Sequence, residues 1–369
     1  MAAHAKLSPS GAARWMTCPG SVHLTATLPP QEGSSVYAAR GTAIHSLSEM
    51  ALKANTQPED YLGQVVDGFT VDEDMAKISR VYVDIARETM GTKYYEIRVS
   101  LEEVIPDCFG TVDMVAMREG HLIICDLKTG AGVKVDVENN HQLMLYALGA
   151  YAKFSWLYDF SKVTMVIVQP PVSELPLSWT ITVGELMAFA DEVREAYRRI
   201  VEEPNTYVLS EKGCKWCRAA HICPEMQKLA AKAAATDFAA ESVESIAAWL
   251  EKVPLLKQFI EAVESTAKDA LMSGKPVPGW KVVEGRRSRV WKNEAEVIDA
   301  LAEFKDKIFS RPELLSVAQM EKALKGQPVD LNDLIEVKTG QPTIAPESDK
   351  RAAITRDGSA AKDFAGIHQ

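Results

Sequence analysis

Apolar and polar residues change period several times along this chain, and each change marks an element. After an opening turn at Ser8-Pro9-Ser10-Gly11, residues 7–56 read as helical, with an alanine-rich run over 38–53 whose apolar positions fall at helical spacing. A second amphipathic helix is predicted over 72–90. From residue 94 the period shortens to two. Tyr95-Glu96-Ile97-Arg98-Val99 alternates, as do 111–117 and 122–128, which predicts three strands. Helical spacing returns over 139–154, a short β-branched strand covers 163–169 before Pro170-Pro171, and a long helix is predicted over 183–201. Residues 210–226 read as a cysteine-bearing loop and 226–272 as mostly helical.

Further on, 279–291 reads as a hairpin or strand and two helices are expected between 293 and 334. From residue 339 the chain is rich in Pro, Ser, Asp and Ala, the composition of a flexible tail. There is no internal repeat. Lys281, Arg286, Arg287, Arg289 and Lys292, flanked by Trp280 and Trp291, form a basic stretch. Such a stretch suits an exposed strand, or contact with single-stranded nucleic acid through phosphates and base stacking.

Charge narrows the possible partners. The formal net charge of -10 over 369 residues excludes a general polyanion binder, so any nucleic acid must be held in a local basic groove against the global field. No apolar stretch reaches the ~18 residues that span a bilayer, and the first residues lack a secretory pattern, so a cytoplasmic protein is expected. Six cysteines in that compartment argue for metal binding, redox chemistry or burial rather than disulfides.

The segment with the most chemistry runs from Gly110-Thr111-Val112-Asp113 to Asp126-Leu127-Lys128. If Glu119 and Gly120 form the turn between its two strands, Arg118 faces His121 and Asp113 falls opposite Asp126. Cross-strand Cβ atoms lie roughly 5 Å apart, and two carboxylates at that range repel unless a cation lies between them. Lys128 stands two residues beyond Asp126 and shares its face. Two acids and a lysine so placed suit phosphodiester hydrolysis, in which carboxylates hold Mg²⁺ or Mn²⁺ and the ammonium offsets developing charge. The same residues also fit a sheet edge guarded by charge, and a one-residue slip of the turn would undo the pairing.

These residues resemble the core signature of the PD-(D/E)XK nuclease superfamily, without the proline of its name. Gln142-Leu143-Met144-Leu145-Tyr146 resembles the Q-x-x-x-Y helix of the RecB-like branch, and Gly41-Thr42-Ala43-Ile44-His45 resembles its histidine motif. The resemblance spans residues 8–224 and implies an α/β fold with a restriction-endonuclease-like core, a small mixed sheet flanked by helices, followed by a helical C-terminal extension. It implies metal ligation by His45, Asp113, Asp126 and the carbonyl of Leu127. Asp113, Asp126 and Lys128 would act in catalysis, with Gln142 and Tyr146 holding substrate. Taken as an isolated residue, His45 reads as a helix histidine. Glu96 reads as a surface strand residue, with a further acidic contact as the alternative.

Cys214-Lys215-Trp216-Cys217 followed by Cys223-Pro224 gives C-x₂-C-x₅-C, a chelating pattern that requires a fourth ligand. Cys18 and His221 are the two sources. Spacing leaves structural Zn²⁺ and a [4Fe–4S] cluster both open. One cysteine before the nuclease motifs and three after resembles the iron–sulfur RecB-like nucleases, which implies a structural [4Fe–4S] cluster on Cys18, Cys214, Cys217 and Cys223. Cys108 and Cys125 read as bystanders, Cys125 pointing to the sheet face opposite Asp126.

The expected organisation is a nuclease domain over 1–228, a helical or mixed extension over 229–338 and a tail over 339–369. The whole layout also resembles an uncharacterised family of phage and prophage proteins with this nuclease core, which implies metal-dependent DNA hydrolysis by an exonuclease that processes DNA ends in phage recombination or replication. An annealing protein or helicase is the expected partner, and the host cytoplasm the location. The rival readings are a catalytically silent nuclease fold that binds DNA or recruits partners, and a zinc-stapled enzyme of another class.

Overall fold

The computed structural model describes residues 5–29, 36–173 and 175–281. The elements expected between 293 and 334, the tail from 339 and all of the 279–291 strand past Lys281 lie outside them, as do Arg286, Arg287, Arg289, Trp291 and Lys292. Among the described residues, no helix is long and apolar enough to cross a membrane.

The expected helical region over 7–56 resolves into a 3-10 turn and three helices: α1 (Ala12–Trp15), α2 (Gly20–Ala26) and α3 (Val36–Ala54). Pro9 opens the 3-10 turn and Pro19 caps the start of α2, positions at which a missing N–H costs nothing. Trp15 is fully buried, and its indole N–H donates to the Ser8 carbonyl at 3.0 Å, which pins the segment down. A two-stranded ribbon, β1 (Val65–Val66) with β2 (Phe69–Thr70), follows. Both turn residues, Asp67 (φ 46°) and Gly68 (φ 84°), are left-handed, the hairpin turn that an Asp-Gly pair favours.

Helix α4 (Glu73–Glu88) starts at Asp72, whose carboxylate accepts from Met75 N–H. Then come β3 (Thr92–Ser100), β4 (Phe109–Arg118) and β5 (Gly120–Leu127). Helix α5 (His141–Phe154), capped by the Asn140 side chain, crosses to β6 (Phe160–Val168), which lies parallel to β5. Strand β7 (Leu177–Thr182) then returns antiparallel, and α6 (Val183–Glu202) opens with a Thr182–Glu185 capping box. Neither β7 nor the small ribbon is among the elements expected from periodicity.

The sheet order is β3-β4-β5-β6-β7, antiparallel except at β5–β6. One face packs against α5 and α6, with Val115, Leu122, Ile124 and Met165 inside; the other packs against α3 and α4 through Met114, Cys125 and Leu127. Covering both faces explains why β4 and β5 are almost continuously apolar, and why a charged residue within them stands out. Cys125 is fully buried on the α3/α4 side.

The cysteine-bearing stretch is more ordered than a loop. It holds α7 (Glu211–Cys214) and a 3-10 turn over Ala220–Ile222, and Cys223-Pro224 starts α8 (Pro224–Ala235), the proline occupying the first helical turn. Helices α9 (Val243–Leu250) and α10 (Val253–Met272) follow, and α10 packs on α7, α8 and the 220–222 turn.

Candidate active site

The hairpin register runs from Arg118 opposite His121 to Met114 opposite Cys125, and the paired positions end there, one residue short of Asp113 and Asp126. Gly120 makes the turn with φ 68°. On the other side of β4, Tyr95 pairs with Met114 and Ile97 with Val112, while Glu96 drops out of the register. Its backbone is left-handed (φ 47°), which costs a residue with a Cβ on the order of 1–2 kcal/mol. Strain of this kind persists where surrounding structure over-determines it, and it gathers at functional sites.

That distortion has a chemical consequence. Among the described residues, His45, Glu96 and Asp113 form the one set of three potential ligands whose donor atoms all lie within 4.8 Å of one another. His45 Nδ1 is 3.3 Å from Asp113 Oδ1 and 3.9 Å from Glu96 Oε1. The reading of Glu96 as a surface strand residue is therefore corrected: its carboxylate turns into the site. A two-residue alternation could not reveal this, because the backbone breaks the alternation at that residue.

Asp126 lies beside this set in a different role. Lys128 Nζ is 2.9 Å from Asp126 Oδ2 and donates to Gln142 Oε1 at 3.0 Å. Gln142 Nε2 donates to Asp126 Oδ1 at 3.3 Å and to the Tyr146 hydroxyl at 3.2 Å. Asp126 Oδ2 is buried, and the Lys128 ammonium at 2.9 Å is the charge that offsets its burial. Leu127 enters through its N–H, which donates to Asp113 Oδ2 at 2.6 Å, while its side chain fills the α3/α4 core.

The electrostatics follow from burial and crowding. Burial raises the Asp126 carboxyl and the Asp113 charge raises it further, against the pull of Lys128. Burial lowers His45, but hydrogen bonds to Asp113 and Glu96 outweigh it and hold the imidazole up at about 10. Lys128 is likewise disfavoured by burial and raised, on balance, by Asp126. Burial and the Asp126 charge push the Tyr146 hydroxyl up, which keeps it neutral.

Two close approaches explain glycines in the motifs. A Cβ on Gly110 would stand 2.8 Å from the Tyr146 ring and 3.0 Å from Pro9. One on Gly41 would lie 2.8 Å from Thr129 Oγ1. Substitution at either would push α5 or α3 off the end of the sheet that carries the acids.

The N-terminal and late cysteines meet. Cys18, Cys214, Cys217 and Cys223 line one small cavity, whereas His221 does not. Val208 N–H points to Cys18 Sγ at 3.3 Å and Ser210 N–H to Cys214 Sγ at 3.5 Å. Burial raises the Cys214 and Cys217 thiols. Burial lowers the Arg14 guanidinium while the sulfurs of Cys217 and Cys18 beside it pull the other way. Among the described residues, no three of these thiols fall within 4.8 Å of one another. Four thiols around one cavity form a donor set that fits either structural zinc or a four-iron cluster. Cys108 is buried within the α5/α6 core, apart from these four.

Fold and site together define a mixed α/β protein, a five-stranded sheet flanked by helices with a histidine–carboxylate cluster and an Asp–Lys pair at one end. The chain belongs to the family described as "Protein of unknown function (DUF2800)", whose model matches residues 4–352. It is similar to a crystal structure from Eubacterium rectale described as "Putative exonuclease", with 12% identity, 54% of this chain and 81% of that chain covered, and a TM-score of 0.32. It is also similar to the crystal structure of SSO0001, with 12% identity, 55% and 92% coverage, and a TM-score of 0.25.

Proposed function

We propose that this protein is a Mg²⁺- or Mn²⁺-dependent deoxyribonuclease. The observation that carries the reading is the convergence of His45, Glu96 and Asp113 within 4.8 Å, beside a buried Asp126 that is paired with Lys128. Oxygen-rich ligands with one imidazole suit Mg²⁺ or Mn²⁺. When bound, the ion supplies Lewis-acid polarisation of a phosphodiester and acidifies bound water. His45, Glu96 and Asp113 would hold it, Asp126 would add a carboxylate beside them, and the Leu127 carbonyl would complete the set by the resemblance described above.

The chain's own groups do the rest. Lys128, held by Asp126 and Gln142, presents a charge-assisted donor to the phosphoryl oxygen on which negative charge grows. Gln142 and Tyr146 form one hydrogen-bonded row on α5, so they orient Asp126 and contact substrate as a unit. Cys18, Cys214, Cys217 and Cys223 hold a [4Fe–4S] cluster that ties the first and last parts of the domain together. DNA is the substrate class, and end processing in phage recombination, beside an annealing protein or helicase, is the cellular setting that the resemblance favours.

The test is cleavage of end-labelled single-stranded and duplex DNA with Mg²⁺ or Mn²⁺, comparing wild type with Asp126→Ala in protein purified anaerobically. Cleavage by wild type alone supports the reading, and cleavage by both overturns the site. Visible absorbance that disappears in Cys214→Ala supports the cluster, and colourless wild-type protein containing zinc overturns it.

A further inference from the structure

The chain leaves β5 at Leu127, places Lys128 in the site and runs irregularly to Asn140, the cap of α5. Residues 130–134 of this segment are exposed. They are nevertheless held from behind by one side chain. Gln169 Nε2 donates to the carbonyls of Gly130 and Val133, both at 2.8 Å, and its Oε1 accepts from Val135 N–H at 3.0 Å. Gln169 is 6% exposed, so burial of its amide is offset by hydrogen bonds that all go to this segment.

The outer side of the segment is unused. Among the described residues, the N–H groups of 130–134 donate to no protein acceptor, and Lys134 forms no ion pair. A Cβ built on Gly130 or Gly132 meets nothing within 4 Å, and neither residue has a positive φ. The fold therefore does not require glycine at either position. Glycine there keeps the backbone open to something approaching from outside.

We propose that residues 130–134 grip the phosphate backbone of a DNA strand beside the bond to be cut, using free backbone N–H groups and the Lys134 ammonium. The inference rests on the nuclease reading and gives that site a defined DNA contact. Successive backbone N–H groups form anion-binding concavities, and phosphate contacts of this kind fix register without reading sequence. With a net charge of -10, the protein has no global field to attract DNA, so fixed local donors must hold it. The Gln169 clasp orders the segment in advance, which lowers the entropic cost of binding.

The test measures anisotropy of fluorescein-labelled single-stranded and duplex oligonucleotides against a KCl series, with Ca²⁺ in place of Mg²⁺ and the full-length protein. Lys134→Ala is expected to weaken binding about tenfold at low salt and to make the log–log salt slope shallower by about one. The double variant Gly130→Ala, Gly132→Ala is expected to melt with wild type and to bind about tenfold more weakly, the loss of roughly one hydrogen bond to a charged group. Wild-type affinity and slope in both variants overturn the grip while leaving the nuclease reading intact. Absence of both DNA binding and cleavage in wild type removes the nuclease reading, and this inference with it.

Discussion

Asp113 and Leu127 are joined by a 2.6 Å hydrogen bond from the backbone N–H of Leu127 to Asp113 Oδ2, which leaves Oδ1 directed at His45. One carboxylate thus serves the fold with one oxygen and the candidate metal site with the other. Asparagine can still accept from Leu127 but brings no charge, whereas alanine leaves a buried N–H unpaired. We expect Asp113→Asn to melt within a few degrees of wild type and lose at least tenfold in Mn²⁺ affinity. Asp113→Ala should lose a further ~1–3 kcal/mol of stability. Calorimetric titration and thermal melts separate the two effects, and equal melting of the two variants would show that the Leu127 contact is unimportant.

The Asp126–Lys128 pair predicts strong coupling. Removing one partner of a buried pair strands the other charge, at a cost of about 3–5 kcal/mol, less for a lysine that is about a quarter exposed. Lys128→Met should therefore destabilise the protein and raise the Asp126 carboxyl further. The double variant Asp126→Asn, Lys128→Met should recover much of the stability with no cleavage. Additive losses in a double-mutant cycle of melts would contradict the pairing.

His45 makes stability depend on pH. Its folded value of about 10 lies above the ordinary 6.5, so the protonated imidazole stabilises the metal-free fold. That contribution is complete below pH 6.5 and is lost as pH rises towards 10. A metal ion must displace the same proton. Mn²⁺ binding at pH 8 should release close to one proton in wild type and none from this position in His45→Gln, read by titration calorimetry in buffers of different ionisation enthalpy. Identical proton release in both proteins would remove His45 from the site.

Cys108 and Cys125 should resist thiol reagents. Burial pushes Cys108 up to about 12 and Cys125 well above its usual range, so neither forms thiolate near neutral pH. Peptide mapping after iodoacetamide at pH 8 should find both unmodified in native protein and alkylated after unfolding. Rapid native modification at either would indicate local opening of the sheet core.

Much of this protein is determined by local sequence. The two-residue turn at Glu119-Gly120 sets the β4–β5 register from Arg118–His121 to Met114–Cys125, because each of those strand positions follows from the turn by simple alternation. The caps at Asp72, Asn140 and Thr182 and the helical periods behind them are equally local. The Asp67-Gly68 turn was also there to be read, and the short ribbon it closes carries too few residues for periodicity to show.

Tertiary structure decided what depends on distant segments meeting. His45 on α3 reaches Asp113 only because that helix covers the β4–β5 face, and Cys18 reaches Cys214 only because the N-terminal turns lie against the segment after α6. Glu96 joins the metal-competent set through a left-handed backbone that no alternating pattern predicts. Gln169 clasps a segment more than thirty residues earlier in the chain. Periodicity and turn chemistry act between neighbours in sequence, whereas such gatherings follow from sheet order and packing, which sum over the whole chain.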